Sequence, residues 1–229
     1  YRKRDYSAAR KSFEEGLALC RIICDQYEAA FARKWLAAIS FQQRDGAAAL
    51  RQSEQLVLYY RAVKDRRELG AVLGQLLCSL ERVSGRNDVA KAHCLEALEL
   101  ERDCGYPSAA TLGNLGMITL GEGDLDTAKR LFAESLAVAQ EQGHGALIAL
   151  ATMNFAAVMA LEKKARQAVV LLAYFHPHIK LGDRLNFLPA DDADYDHYLA
   201  LARAQLDEAS FQAAWAEGSA MTLEQALAL

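Results

Sequence analysis

Residues 109–143, AATLGNLGMITLGEGDLDTAKRLFAESLAVAQEQG, decide the fold of this chain. Apolar side chains recur at the spacing of an α-helix both before and after residues 121–124, GEGD. Glycine tolerates the positive φ that ends a helix, and an aspartate accepts hydrogen bonds from the free amides that begin the next one. The stretch therefore predicts two amphipathic helices joined by a tight turn.

This hairpin resembles a tetratricopeptide repeat, in which a large-Leu-Gly pattern, a Gly-Asp turn, an alanine and an aromatic residue follow one another. The matching residues are Leu112, Leu115, Gly116, Gly123, Asp124, Ala128 and Phe132. At these positions, Gly116 and Ala128 would let the two helices approach closely. Phe132 would fill the space between this hairpin and the next.

The alanine of the second helix recurs along the chain in steps of 38 to 41 residues, at Ala9, Ala49, Ala90, Ala128 and Ala168. This period of about 40 residues exceeds the common tetratricopeptide period of about 34. The predicted fold is all-α, a tetratricopeptide-like right-handed α-α superhelix in a single domain over residues 1–229. Residues 1–27 are predicted to hold the second helix of a truncated repeat. Helix pairs follow at 28–66, 67–105, 106–144 and 145–178, and a helical cap at 179–229.

Composition excludes several classes of function. The chain has 229 residues, of which 52% are hydrophobic and 24% charged, so it can bury a core and is not disordered. No apolar run reaches the roughly 18–20 residues that span a bilayer, and no signal peptide is visible. A net charge of −4 argues against direct nucleic-acid binding by this segment.

The five cysteines are scattered and odd in number, which favours a reducing cytoplasm. Cys20 and Cys24 lie one helical turn apart and could share a metal. No second pair completes such a site, so buried thiols are the preferred interpretation and no metal or cofactor is predicted.

The closing stretch, residues 210–226, SFQAAWAEGSAMTLEQA, carries a more specific resemblance. It is similar to the end of the tetratricopeptide region in large bacterial regulators of the LuxR and STAND-ATPase type, including those with the architecture of the maltose activator. This resemblance implies a cytoplasmic signal-transduction module of a transcriptional regulator. The sequence itself contains neither a GxxxxGK[ST] phosphate loop nor a helix-turn-helix motif. Because it begins at Tyr1 and ends within a helical pattern, it is interpreted as a piece of a longer protein.

The resemblance also implies a ligand groove, because the first helices of tetratricopeptide repeats line the concave face. Projecting the repeat register gives ten candidate groove residues, Phe31, Lys34, Phe41, Gln75, Ser79, Arg82, Asn114, Met117, Met153 and Asn154. In similar peptide-binding repeats, an asparagine at the place of Asn114 and Asn154 grips a peptide backbone, since its amide both donates and accepts. The alternative is a bond to a neighbouring helix. The methionines and phenylalanines would form an adaptable apolar wall, or else ordinary core between repeats.

Three further clusters each have a functional and a structural interpretation. The acidic cluster either binds a cation or complements the positive end of the helix that follows, and comprises Asp191, Asp192, Asp194, Asp196 and His197. The basic run docks an acidic partner or nucleic acid, or else is a solvated loop between repeats, and comprises Arg61, Lys64, Arg66 and Arg67. His176 and His178 are interpreted as loop residues because no third metal ligand is near in sequence.

No nucleophile elbow, HExxH pair or phosphate loop is present, so a non-enzymatic function is predicted. The leading hypothesis is a regulatory module that binds a peptide, a protein segment or a small effector and transmits binding to ATPase and DNA-binding domains outside this sequence. The alternative is a structural scaffold or protein-protein adaptor unrelated to transcription, with self-association as a homodimer.

Overall fold

A computed structural model describes residues 6–180 and 189–229, without the side chains of residues 178–180. The described residues form α-helices and one π-helical segment, and contain no strand. The helices are α1 Tyr6–Ile22, α2 Gln26–Gln42, α3 Gly46–Val63, α4 Arg66–Ala71, α5 Cys78–Val83, α6 Asn87–Asp103, α7 Ala109–Gly121, α8 Leu125–Glu141, α9 Gly145–Leu161, α10 Ala165–Lys180, α11 Pro189–Arg203, α12 Glu208–Ser219 and α13 Leu223–Leu227. The predicted all-α class is confirmed. Three parts of these predictions lie outside the described residues, namely residues 1–5 of the truncated repeat, residues 181–188 of the cap and the side chain of His178.

The hairpin of residues 109–143 forms as predicted. Gly123 has φ +88°, and the Asp124 carboxylate accepts a hydrogen bond of 3.0 Å from the Thr127 amide at the start of α8. A Cβ built on Gly116 would lie 2.3 Å from Cε1 of Phe132, so the close approach of α7 and α8 requires glycine. Phe132 is fully buried and forms an edge-to-face pair with Phe155 of α9, with 6.2 Å between centroids.

The turns between helices repeat one local geometry about every 20 residues. Each turn from α1 to α10 contains a residue with positive φ, at Cys24, Arg44, Lys64, Gly85, Gly105, Gly123, Gly143 and Lys163. In four of these turns the next residue is an aspartate whose side chain caps the following helix, at Asp25, Asp45, Asp65 and Asp124. In these four turns, the residue with positive φ therefore ends one helix, and the aspartate after it caps the start of the next.

Three predicted helix boundaries are wrong. The first helix ends at Ile22 rather than near residue 27, because Cys24 adopts φ +59°. In the pair at 67–105, the apolar pattern predicts a first helix over Val72–Val83, but this helix begins earlier, at Arg66, where Asp65 caps it, and it contains a π-helical segment at Val72–Leu77. In the pair at 145–178, the pattern predicts a second helix over Ala165–Phe175, but this helix continues to Lys180 with Pro177 inside it.

The chain divides into two compact units, Tyr1–Pro107 and Ser108–Leu229. In the first unit, a buried core cluster includes Leu56, Tyr60 and Leu73. In the second, the core clusters are centred on Phe132 and Phe175. That both units belong to one continuous superhelical domain stays a prediction.

Within the described residues, no helix is both long enough and apolar enough to cross a membrane.

Candidate binding surfaces

The candidate groove residues of the first unit differ in their exposure. On α2, Phe31 is exposed and Lys34 is half-buried, while Phe41 is buried. Lys34 forms an ion pair with Glu68 of α4 and lies 5.8 Å from the centroid of the Phe31 ring. The Phe31 and Lys34 side chains therefore form an accessible surface that carries both an aromatic ring and a cation.

The next three candidates lie on the π-helical segment and on α5. Gln75 is exposed and Arg82 is half-buried. Ser79 is buried, and its hydroxyl donates a hydrogen bond of 2.8 Å to the carbonyl oxygen of Gln75, one turn earlier in the same helix. The Ser79 hydroxyl is thus bonded to the backbone of its own helix, as is common for serine within helices.

In the second unit, only Asn114 among the predicted groove residues remains partly exposed. Met117, Met153 and Asn154 are buried. The Asn154 amide nitrogen lies 3.4 Å from the position that a Cβ of Gly113 would occupy, which places the amide of α9 against α7. The alternative of Asn154 packing against a neighbouring helix therefore describes its position.

The expectation that all ten residues face an open groove is corrected for Phe41, Ser79, Met117, Met153 and Asn154, which are buried. For Met117, Met153 and Asn154, the physical reason is that α7 and α9 are apolar on nearly all sides, and a helix of that kind is enclosed by its neighbours. Binding at Phe31, Lys34, Gln75, Arg82 and Asn114 stays a prediction.

A cleft of about 410 Å³ lies within the second unit, between α8 and α9 and the start of α10. Its apolar lining consists of Ala133, Phe155, Val158 and Met159. The polar lining consists of Lys129, Arg130, Glu162 and Lys164. Three cations and one carboxylate thus surround an apolar floor, on a chain whose net charge is −4. This cleft was not predicted, because its lining residues come from two helices, α8 and α9, and from the turn that follows α9.

Glu162 organises the rim of this cleft. Its carboxylate accepts hydrogen bonds from the ammonium groups of Lys129 on α8 and Lys164 at the start of α10, the latter at 2.8 Å. These two bonds hold the pKa of Glu162 below its ordinary value. The hydrogen bond between Lys129 and Glu162 also raises the pKa of Lys129. Arg130 donates to the Thr127 hydroxyl at 2.9 Å and is exposed. Glu162 and Lys129 are therefore both ionised at neutral pH.

Most side chains of the predicted basic run form ion pairs or ring contacts within the first unit. Arg61 of α3 forms an ion pair with Glu96, and Arg66 of α4 forms one with Asp103. The Arg67 guanidinium lies 4.5 Å from the centroid of the Tyr106 ring. Arg61 and Arg66 lie in helices, so the interpretation as a solvated loop is wrong for them.

The acidic cluster and His176 also have structural positions. Asp191 and Asp192 occupy the first turn of α11, where carboxylates complement the partial positive charge of the helix end. His176 is not in a loop, because it lies within α10. Its Nδ1 is 2.7 Å from the Tyr195 hydroxyl, and its ring packs edge-to-face on Trp215.

The cysteines do not form a metal site. No group of three metal-ligating side chains occurs among the described residues, and Cys24 is exposed while Cys20 is half-buried, so neither is the buried thiol that was predicted. Cys78 and Cys94 are buried on α5 and α6. A hydrogen bond between the Cys94 and Cys78 thiols, together with burial, raises the pKa of the Cys94 thiol, which keeps it protonated and unreactive.

A contact between a buried glutamate and a half-buried histidine in the first unit was also missed. Glu81 of α5 is buried, and its carboxylate lies 2.8 Å from Nδ1 of His93 on α6. Both residues flank the turn at residues 84–86, so each lies on a helix face directed at the other. Glu81 lies three residues before this turn and His93 seven residues after it, so no matching spacing in the sequence indicated the contact.

The fold and these surfaces define an all-helical protein built of consecutive helix hairpins. No family model and no curated protein matches the sequence. A similar solved structure is the crystal structure of BtubC (BKLC) from P. vanneervenii, with a TM-score of 0.64 and 18% sequence identity, covering 99% of this chain and 93% of that one. At this identity, the similarity concerns the fold alone.

Proposed function

We propose that this chain is a non-catalytic interaction module whose second unit binds a segment of a partner protein in the cleft between α8 and α9. The observation that supports this function is the combination of an apolar floor, at Phe155 and Met159, with a cationic rim. An apolar recess bordered by a few oriented polar groups is the usual form of a recognition site.

The chemistry of the cleft favours a partner segment that carries a large apolar side chain beside carboxylates. The apolar side chain occupies the floor and is removed from water there. The carboxylates accept hydrogen bonds from Arg130 and from the N–H groups of Lys129 and Lys164 that Glu162 does not use. Because the cleft is open to solvent, it suits a side chain that projects from a protein segment better than an enclosed small effector.

Panning a random peptide library against the immobilised chain, followed by anisotropy measurements with the enriched peptide, tests this function. Arg130→Glu and Lys164→Glu should each weaken binding about ten-fold or more, because a charge-assisted bond becomes a repulsion. The matched control is Arg51→Glu, the same charge change at an exposed position on α3, which should leave affinity unchanged. Failure to enrich any peptide, or equal losses in all three variants, would contradict the proposal.

The wider function implied by the closing stretch is regulation of transcription in a bacterium. In that setting, the partner segment changes how ATPase and DNA-binding domains are arranged, which requires tighter binding to one arrangement than to the other. The reading frame on either side of the segment tests this assignment. A phosphate loop upstream and a helix-turn-helix downstream are expected, and an absence of both would leave a peptide-binding adaptor.

A second candidate function is self-association, which the surface of α1 favours. Leu19, Ile22 and Ile23, at the end of α1 and just after it, are between 62% and 77% exposed. Sedimentation equilibrium over a hundred-fold range of concentration separates the two functions. A dimer that Ile22→Glu dissociates would support the scaffold, whereas a monomer throughout would contradict it.

The finer fold proposed here is the right-handed superhelix of the tetratricopeptide type. It is supported by the recurrence of one turn geometry about every 20 residues from Cys24 to Lys163. Small-angle X-ray scattering tests it, because a superhelix predicts an elongated particle and a closed bundle predicts a compact one.

A further inference from the structure

The carboxylate of Glu162 binds two of the three cations that border the cleft of the second unit. Among the described residues that line the cleft, Glu162 carries the single carboxylate, and it lies just after the end of α9. One of its oxygens accepts a hydrogen bond from the Lys129 ammonium, and the other accepts one from the Lys164 ammonium at 2.8 Å. Both oxygens are therefore bonded to cations that the cleft would offer to an acidic ligand.

The backbone of Glu162 is also fixed. Its amide donates a hydrogen bond of 2.9 Å to the carbonyl oxygen of Val158, one turn earlier in α9. Its side chain is 21% exposed, compared with 39% for Lys129 and 56% for Lys164. Glu162 is thus the most enclosed of these three charged side chains, and it is held in place before any ligand binds.

Arg130 differs from the two lysines in its partner. Its guanidinium donates a hydrogen bond of 2.9 Å to the hydroxyl of Thr127, which is a neutral group. The charged side chains of the cleft are three cations and one carboxylate, which gives a formal charge of +2. The rim therefore attracts an anion, but it shares two of its three cations with Glu162.

A carboxylate of a bound segment and the carboxylate of Glu162 are equivalent hydrogen-bond acceptors. An ammonium that already donates to Glu162 gains less from a second carboxylate, and two carboxylates that share one ammonium repel each other. Because Glu162 belongs to the chain, its effective concentration at these lysines is about millimolar or more. An acidic segment therefore binds in the presence of a competitor that dilution does not remove.

We infer that Glu162 is an internal competitor that lowers the affinity of the cleft for acidic segments. The inference rests on the proposed function of the cleft, and it adds how that binding is limited, because the charge of Glu162 keeps the complex weak and readily reversible. Removing this polar residue from the lining of the cleft should therefore strengthen binding. If Glu162 instead positioned the two lysines for the ligand, its removal would weaken binding.

Isothermal titration calorimetry with the full chain tests this inference. The probes are two peptides with blocked ends, EEFEE and QQFQQ, which share a phenylalanine for the apolar floor and differ in charge. Glu162→Gln should bind EEFEE about ten-fold more tightly than the unaltered chain does, because two lysines become available and one repulsion is lost. It should bind QQFQQ with unchanged affinity, since this peptide carries no charge for Glu162 to oppose.

Two further variants complete the experiment. The matched control is Glu141→Gln, the same change at an exposed position of α8 outside the cleft, which should alter the affinity for EEFEE by less than about two-fold. Glu162→Ala removes the charge without introducing an amide, and it should also bind EEFEE more tightly. Far-UV circular dichroism checks that the helix content of every variant equals that of the unaltered chain.

Three outcomes would overturn the inference while the proposed function stands. EEFEE could bind Glu162→Gln with unchanged affinity, which would mean that Glu162 does not compete. EEFEE could bind this variant more weakly, which would assign Glu162 to the positioning of the lysines. QQFQQ could gain as much affinity as EEFEE, which would mean that Glu162 opposes the segment by its shape and not by its charge. If neither peptide binds any of these proteins, the proposed function itself is contradicted, and the inference with it.

Discussion

Gly116 is the single residue on which the packing of α7 against α8 depends most directly. A Cβ at this position would lie 2.3 Å from Phe132, a fully buried ring that has no free space to enter. We expect Gly116→Ala to lower the free energy of unfolding by about 1–3 kcal/mol, measured by urea denaturation. The control is Gly121→Ala in the same helix, where a Cβ meets no atom within 4 Å and stability should not fall. Because alanine favours the helix more than glycine does, an equal loss in both variants would mean that the collision with Phe132 is not responsible.

Lys64 stores backbone strain at the end of α3. It adopts φ +58° without being glycine, and this conformation costs an L-residue about 1–2 kcal/mol. We expect Lys64→Gly to raise the midpoint of thermal unfolding, measured by circular dichroism. Lys64→Ala keeps the Cβ and the strain, so it should give no increase. If alanine stabilises as much as glycine, loss of the lysine side chain, not relief of φ, is the cause.

At the scale of elements, the carboxylate of Glu162 links α8 to the turn between α9 and α10. Its pKa is lowered by the bonds from Lys129 and Lys164, so the folded state binds its proton less tightly than the unfolded chain does. The stabilisation is therefore complete above the ordinary pKa of 4.5 and is lost as the pH falls through the lowered folded value. We expect the stability difference between the chain and Glu162→Gln to shrink as the pH falls from 6 to about 3.

Lys129→Met provides the control for this pH dependence. It removes the partner that lowers the Glu162 pKa most, so the change in stability between pH 6 and about 3 should be smaller than in the unaltered chain. A pH profile that is identical in all three proteins would contradict the assignment of this ion pair to stability. The contact is partly exposed, so added salt should weaken it as well.

The whole molecule is divided between Pro107 and Ser108 into two compact units, each with its own core. We expect residues 108–229, expressed alone, to be helical and to unfold cooperatively in urea, because their core clusters draw on no residue of the first unit. A matched fragment that begins at residue 125 lacks α7 and should lose cooperativity. If residues 108–229 lack a cooperative transition, the second unit is not an independent folding unit.

The helix pattern followed from local signals, and the binding surfaces did not. The spacing of Leu112, Leu115 and Leu120 predicted α7, and the Gly-Asp pair predicted the turn, because both depend on residues close in sequence. The turn at Lys163 gave no such signal, because lysine has no local preference for positive φ. The packing around the turn imposes that conformation. The continuation of α10 through Pro177 was likewise missed, because the proline rule describes an isolated helix.

The sequence by itself determined the all-helical class, the period of about 40 residues and the need for glycine at Gly116, because periodicity, capping and side-chain size act within one hairpin. Only the tertiary structure decided which predicted groove residues are accessible. Met153 and Asn154 have the composition of a binding surface, but the packing of α9 buries them. Lys129 of α8 and Lys164 of the turn before α10 meet at Glu162, although they are far apart in sequence. The exposure of a side chain depends on how the helices pack together. The residue pattern of one helix does not determine how many neighbouring helices pack against it.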